Sequence, residues 1–290
     1  MAAASTEPAM ASLGARPADG LWGRLPAINT VFYWGIHAAC LAGFWTGVSA
    51  GDLALLAATF FLRMLAVTGG YHRYFSHRTY RTSRPFQLVL ALLGCTATQK
   101  GPLWWAGNHR HHHANADGPE DVHSPLHGFY WSHQGWIAHE RWEPTLLDRV
   151  PDLARYPELV WLNRWHFVPP LALALLCFAI GGWSGLVWGF VVSTTLLWHS
   201  TYTINSLAHT WGKRRYDTPD TSRNNWLLAL LTLGEGWHNN HHHYMACARQ
   251  GFYWWEVDVT YYVLRALAAV GLVWDLRQPP AAVLEAGRRG

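Results

Sequence analysis

The chain has 290 residues, half of them apolar and only 14% charged, with a formal charge of +4; about a quarter of an ordinary soluble domain is charged, so the balance favours a membrane protein. A mean hydropathy near zero excludes a chain made only of spans, and a polar part must stand outside the bilayer. Lys and Arg form no block, which argues against nucleic acid as a partner, and Cys40, Cys95, Cys177 and Cys247 lie too far apart to suggest a disulfide framework or a thiolate metal site.

Residues 1–20 are rich in Ala, Pro, Ser and Gly, show no signal-peptide pattern, and are expected to be disordered. The uncharged stretch from Leu25 to Gly51 exceeds the roughly 20 residues that cross a bilayer and predicts a first span over about 26–50. A second is expected over 53–72, where Arg63 either snorkels or faces the bundle. The apolar runs Pro85 to Thr98, with Ser83 as a cap, and Val259 to Val273 are short enough to be interfacial or re-entrant. A spanning helix over Pro85 to Thr98 would also put His72 and His77 across the bilayer from His109 to His113. No charged residue occurs between Arg164 and Lys213, which predicts spans over 166–182 and 184–209 joined at Gly181 to Gly185. The connections at Ser49 to Asp52 and Gly181 to Gly185 lack Lys and Arg, so the positive-inside rule puts both termini and the polar segments in the cytoplasm. The expected domain is 21–276, with a cytosolic cap over 73–165 and 210–276 and a disordered tail over 277–290. The 19 Trp fit interfacial belts.

Three histidine clusters carry the chemical signal: His72 and His77, then His109 to His113, then His238 with His241 to His243. Residues three and four apart share a helix face, so His109 converges with His112 and His113, and His238 with His241 and His242; Asn205 and His209 repeat the spacing. Adjacent residues point about 100° apart, so His112 and His113 suit two neighbouring ions better than one. Imidazole suits iron, copper, nickel or zinc. His37, His166 and His199 read as core residues, and His111, His123, His127, His133, His139 and His243 as polar surface or support. Glu235, close to the third cluster, is a candidate to orient one of its imidazoles.

With these motifs in view, the chain resembles the membrane-bound acyl-CoA desaturases of the stearoyl-CoA Δ9 type in their bacterial form, over about Leu53 to Leu276. The matching residues include His72 to Tyr80, His109-Arg110 with His112-His113, Gly128-Phe129, Ser132-His133, Gly135-Trp136, Asn205-Ser206 with Ala208-His209, Ser222 to Asn224, and Gly234 to Asn239 with His241-His242. The resemblance implies an all-α membrane four-helix bundle whose cytosolic helical cap holds two irons, and O2-dependent formation of a cis double bond in a fatty acyl chain, with acyl-CoA as the expected carrier. It implies iron ligation by His72, His77, His109, His113 and His242 at one ion and by His112, His209, His238 and His241 at the other, with Asn205 acting through a water. It also implies the bacterial inner membrane as location. No fused haem domain is visible, so electrons are expected from a separate ferredoxin, rubredoxin or cytochrome b5-like protein with its reductase. An Arg-Asp pair of the animal pattern becomes Gly107-Asn108 here, leaving Lys100 and Arg141 as candidate head-group contacts. A related histidine-box hydroxylase is the nearest alternative. A metal transporter or sensor fits poorly, since Arg63 is the only charge within the spans.

Overall fold

The computed structural model describes residues 27–289, which are mostly helical; the segment 1–20 lies outside the described residues. Helix α1 (Ala27–Ala39) continues through two short turns to Thr46, and Gly47 ends it at φ 65°. Ser49 then starts α2 (Ala50–Leu65): its hydroxyl accepts the Asp52 amide at 3.2 Å while the Asp52 carboxylate accepts the Ser49 amide at 2.9 Å, a reciprocal cap. Without a break, α2 passes into a π-helical segment, Ala66–Ser76.

Two helical stretches, Ala50–Ser76 and Val168–His209, are long and apolar enough to cross a membrane. The second is not straight. Gly182 takes φ 60°, ψ −146°, a conformation closed to side-chain-bearing residues, and reverses the chain within Val168–Leu186. The returning limb packs at glycine distance, because a Cβ on Gly185 would lie 2.4 Å from the Cys177 carbonyl oxygen. Thr46 to Asp52 and Ile180 to Ser184 line one small recess. Both reversals therefore share one end of the bundle, and the histidines gather at the other. Arg63 faces inward and is fully buried: its guanidinium donates to Thr194 Oγ1 at 2.7 Å and Ser193 Oγ at 2.6 Å, and Nε to the Thr59 carbonyl at 3.0 Å.

The two short apolar runs form short helices. In α3 (Arg84–Cys95) Ser83 accepts the Phe86 amide at 3.3 Å, and Asp258 accepts the Tyr261 amide at 3.0 Å to start the helix Val259–Ala269. Tyr71, Phe75, Leu90, Leu103, Leu159 and Leu162 form the core beneath the histidines, each worth roughly 1.5–3 kcal/mol of burial. Arg81–Thr82 pairs antiparallel with Val273–Trp274, tying the end of the first histidine segment to the C-terminal part. The tail differs from expectation. Ala281–Arg289 is helical, with Val283 and Leu284 packed on Tyr216, Phe252 and Tyr253, whose hydroxyls donate to the Val283 carbonyl at 3.0 Å (Tyr216) and the Leu284 carbonyl at 2.7 Å (Tyr253). Two apolar residues seated on an existing tyrosine shelf are enough to order it.

Candidate metal centre

The π-helical segment explains the spacing of the first cluster. The His77 amide donates to the His72 carbonyl, five residues back, at 3.2 Å, and the two rings lie 4.9 Å apart. An α-helix would splay residues five apart, whereas i→i+5 bonding draws them toward one face. The second cluster lies on α4 (Pro102–Asn115), where His109 and His113, four apart, bring their rings to 4.6 Å while His112 turns aside. His209 ends the return limb in a 3₁₀ turn, and the third cluster forms a short helix, His238–His243.

All nine expected histidines converge, in two groups: His72, His77, His109, His113 and His241, and His112, His209, His238 and His242. The partition differs from the expected one by exchanging His241 and His242. Four-residue spacing decides it, since the His238 ring is 4.3 Å from His242 but 5.9 Å from His241. Ring nitrogens face one another across 2.9 Å (His77 and His109), 3.0 Å (His72 and His241, His113 and His241) and 3.1 Å (His109 and His113, His209 and His238). Nitrogens about 2.1 Å from one ion and at right angles about it are about 3.0 Å apart, so these separations fit a metal coordination shell. The Nε2 atoms of His112 and His242 are buried and have no hydrogen-bond partner among the described residues, as nitrogens aimed at an ion should be.

The remaining ring nitrogens explain how the ligands are held. His112 Nδ1 meets Asp121 at 2.7 Å, His209 Nδ1 meets Asp117 at 3.1 Å, His242 Nδ1 meets Asp220 at 2.8 Å, and His72 Nδ1 contacts Glu235. Burial, reinforced by neighbouring imidazoles, lowers His77, His109, His113, His238 and His241 well below the usual histidine range. They stay neutral, as metal ligands must. Burial raises the Asp117 carboxyl, but hydrogen bonds from His209 and Thr221 outweigh it and leave it at about 2. Asp121 and Asp220 are likewise held below the carboxylate range, against burial, by His112 and His242.

Glu235 does not serve the third cluster, as expected from sequence, but the first. Positive φ angles at Leu233 (57°) and Gly234 (126°) turn it back toward the π segment, where it meets both His72 and Arg73 Nη2, the latter at 3.1 Å. A Cβ on Gly234 would sit 2.4 Å from Asp258, so the turn needs glycine twice over. Sequence reasoning missed Asp117, Asp121 and Asp220. Acids are scarce in this chain, and those within a few residues of the second cluster were the available signal. His123, expected at the polar surface or in support, is buried with its ring 4.2 Å from His112.

A cavity of about 660 Å³ runs from His72, His109, His112 and His238 down to Met64, Ala174 and Phe190. Asn205 and Lys100 line it; Arg141 does not, and instead pairs with Glu120 beside the Trp142 ring. Lys100 is its only Lys or Arg among the described residues, and Glu143 engages it at 2.6 Å. His37 and His199, expected as core residues, are half-buried and in contact at 3.0 Å, and His199 reaches His133 at 3.0 Å.

A family profile described as fatty acid desaturase matches residues 44–275. The chain is 39% identical to an sn-2 palmitoyl-lipid 9-desaturase of Nostoc sp. (strain 36), over 91% of this chain and 94% of that one. It is 38% identical to an sn-1 stearoyl-lipid 9-desaturase of Anabaena variabilis, covering 86% and 93%. It is also 36% identical to an icosanoyl-CoA 5-desaturase of Limnanthes douglasii, covering 92% and 78%.

Proposed function

The chain belongs to the fatty acid desaturase family, and from that premise we propose that this oxidoreductase uses two iron ions and O2 to place a cis double bond at Δ9 of a saturated acyl chain carried on a membrane glycerolipid. One observation carries the reading: a largely apolar cavity ends directly on both histidine groups. His72, His77, His109, His113 and His241 would hold one ion, and His112, His209, His238 and His242 the other. Bound iron supplies the O2-dependent oxidation that removes two hydrogens from an unactivated chain, with two further electrons from a separate carrier such as a ferredoxin, rubredoxin or cytochrome b5-like protein.

The chain's own residues hold and enclose. Asp117, Asp121, Asp220 and Glu235 fix ring orientation and tautomer through Nδ1, leaving Nε2 free to ligate. Trp104, Trp105, Trp136 and Trp198 wall the cavity and keep out water. Asn205 stands on the cavity wall beside the second group, where its amide can position a water.

Two observations support a lipid carrier over CoA. The Nostoc and Anabaena relatives are named for lipid-linked chains. A phosphate-rich head group calls for charge-assisted contacts, yet Lys100 is committed to Glu143, and a Cβ at Gly107 would already lie 3.0 Å from the Leu146 carbonyl. The helices are assigned to a four-span bundle in a bacterial inner membrane, with the histidine end and both termini cytoplasmic. Expression in a host lacking unsaturated acids should yield Δ9 monounsaturated chains, and reporter fusions after Gly290 should read cytoplasmic. In reconstituted membranes with iron, O2 and reductant, diacyl lipid should be converted. Conversion of stearoyl-CoA alone would overturn the carrier, and hydroxylated products would overturn the reaction.

A further inference from the structure

Three residues of the cavity wall are also open to the outside. Phe32, Phe167 and Leu171 line the cavity and yet are 52%, 51% and 56% exposed. A side chain with both properties marks a wall one residue thick. Phe32 lies near the start of α1, while Phe167 and Leu171 lie at the start of the limb that begins at Val168, so all three stand at the histidine end of the bundle. Near the seam helix α1 leans on the return limb, where Tyr33 stacks on Trp198 at 5.2 Å; farther along, Cys40 Sγ meets Thr195 Oγ1 at 3.3 Å, and Ile36, Ala39 and Cys40 pack on the cluster of Phe190, Val191 and Cys177. That leaves a seam between α1 and the Val168 limb.

We infer that the cavity is entered sideways from the bilayer through this seam, past Phe32, Phe167 and Leu171, by one acyl chain of a glycerolipid that stays in the membrane. The inference rests on the lipid-carrier reading above and adds the route. The seam lies at head-group level, because Trp161, Arg164 and Trp165, all exposed, sit just before the limb, where aromatic and basic residues anchor helices at the interface. The lips are aromatic and aliphatic, which suits a hydrocarbon chain crossing from the bilayer core with no loss of apolar burial. On the α1 side, nearby polar groups include the Thr30 hydroxyl, the Tyr33 hydroxyl, which donates to Gln134 at 2.8 Å, and His37. These are hydrogen-bonding groups matched to an ester and a glycerol backbone rather than to phosphates. A CoA ester, which lives in water, has no need of such an opening.

The test places Phe32→Cys and Leu171→Cys separately in iron-loaded full-length protein in phosphatidylcholine vesicles, and labels each with a bulky maleimide. Both labelled variants should lose about tenfold or more in turnover of diacyl lipid, with iron content unchanged. Each unlabelled variant serves as the baseline for its own labelled form, and labelled wild type (a control for Cys40) and labelled Val31→Cys, at an exposed position on α1 outside the cavity lining, should keep the turnover of their unlabelled forms. A diacyl lipid with a diazirine near the ester should cross-link to peptides containing Phe32 or Phe167. Full turnover by both labelled variants, or cross-links confined to other walls of the cavity, overturns the route. Failure of the carrier reading shows separately, as unlabelled wild type that converts stearoyl-CoA and leaves diacyl lipid untouched.

Discussion

Among the described residues, only His72 of the first group meets a carboxylate, Glu235, whereas in the second group His112, His209 and His242 each do, through Asp121, Asp117 and Asp220. The first group holds five imidazoles, packed ring against ring, and they orient one another; the second holds four, three of them anchored from outside by a carboxylate, and both groups border the cavity, at His72 and His109 and at His112 and His238. The difference suggests two ways of holding a ligand set: one in which the rings orient one another, and one in which surrounding carboxylates orient them.

Removing a ligand tests that difference with the largest effect. His238→Ala should abolish desaturation and lower iron toward one per chain, while helical circular dichroism persists, and His109→Ala should do the same from the other group. An active His241→Ala variant would show that the first group is not a ligand set. Next in size, Asp121→Asn, Asp117→Asn and Asp220→Asn should each lower activity or iron affinity roughly 10- to 100-fold, draining the second ion first. Glu235→Gln should act at the first, and wild-type iron content in Asp220→Asn would erase the contrast between the groups.

Acid should separate histidine from carboxylate effects. His77, His109, His113, His238 and His241 have folded values lowered by burial. Below about pH 6.5 the unfolded chain takes up protons that these rings refuse, and stability falls as the pH falls. The contribution of Asp117, held at about 2, is complete above about pH 4 and is lost only on approach to that value. Thermal unfolding of metal-free protein should therefore weaken already between pH 6.5 and 5; a flat profile there contradicts neutral, buried imidazoles. The smallest effect is expected at Asn205→Ala: turnover lowered a few-fold with both irons kept, as for a residue that acts through water. Loss of iron in that variant would make Asn205 a ligand.

The convergence of the three histidine clusters was legible because spacing fixes which helical residues share a face, the set of nine came from the family resemblance, and the return at Gly181-Gly182 was legible because glycine pairs between apolar runs mark turns. The allocation of His241 and His242 was misread, although the four-residue interval from His238 to His242 was its signal, and Asp220, which holds His242 Nδ1, agrees with it only in the folded chain. Glu235 looked like a partner of the adjacent cluster, but two left-handed residues turn it elsewhere, and positive φ at Leu233 has no sequence signature. The ordered tail escaped notice because its anchor, Tyr216 and Tyr253, lies outside the tail itself. The π-helical stretch at His72 was equally hidden, although the five-residue interval between His72 and His77 is its trace.

Iron analysis of the purified, iron-reconstituted protein addresses the two-group centre most directly. Two irons per chain are expected in the wild type and one in His238→Ala; a wild-type value near one, unchanged by that substitution, would contradict a centre built from two histidine groups.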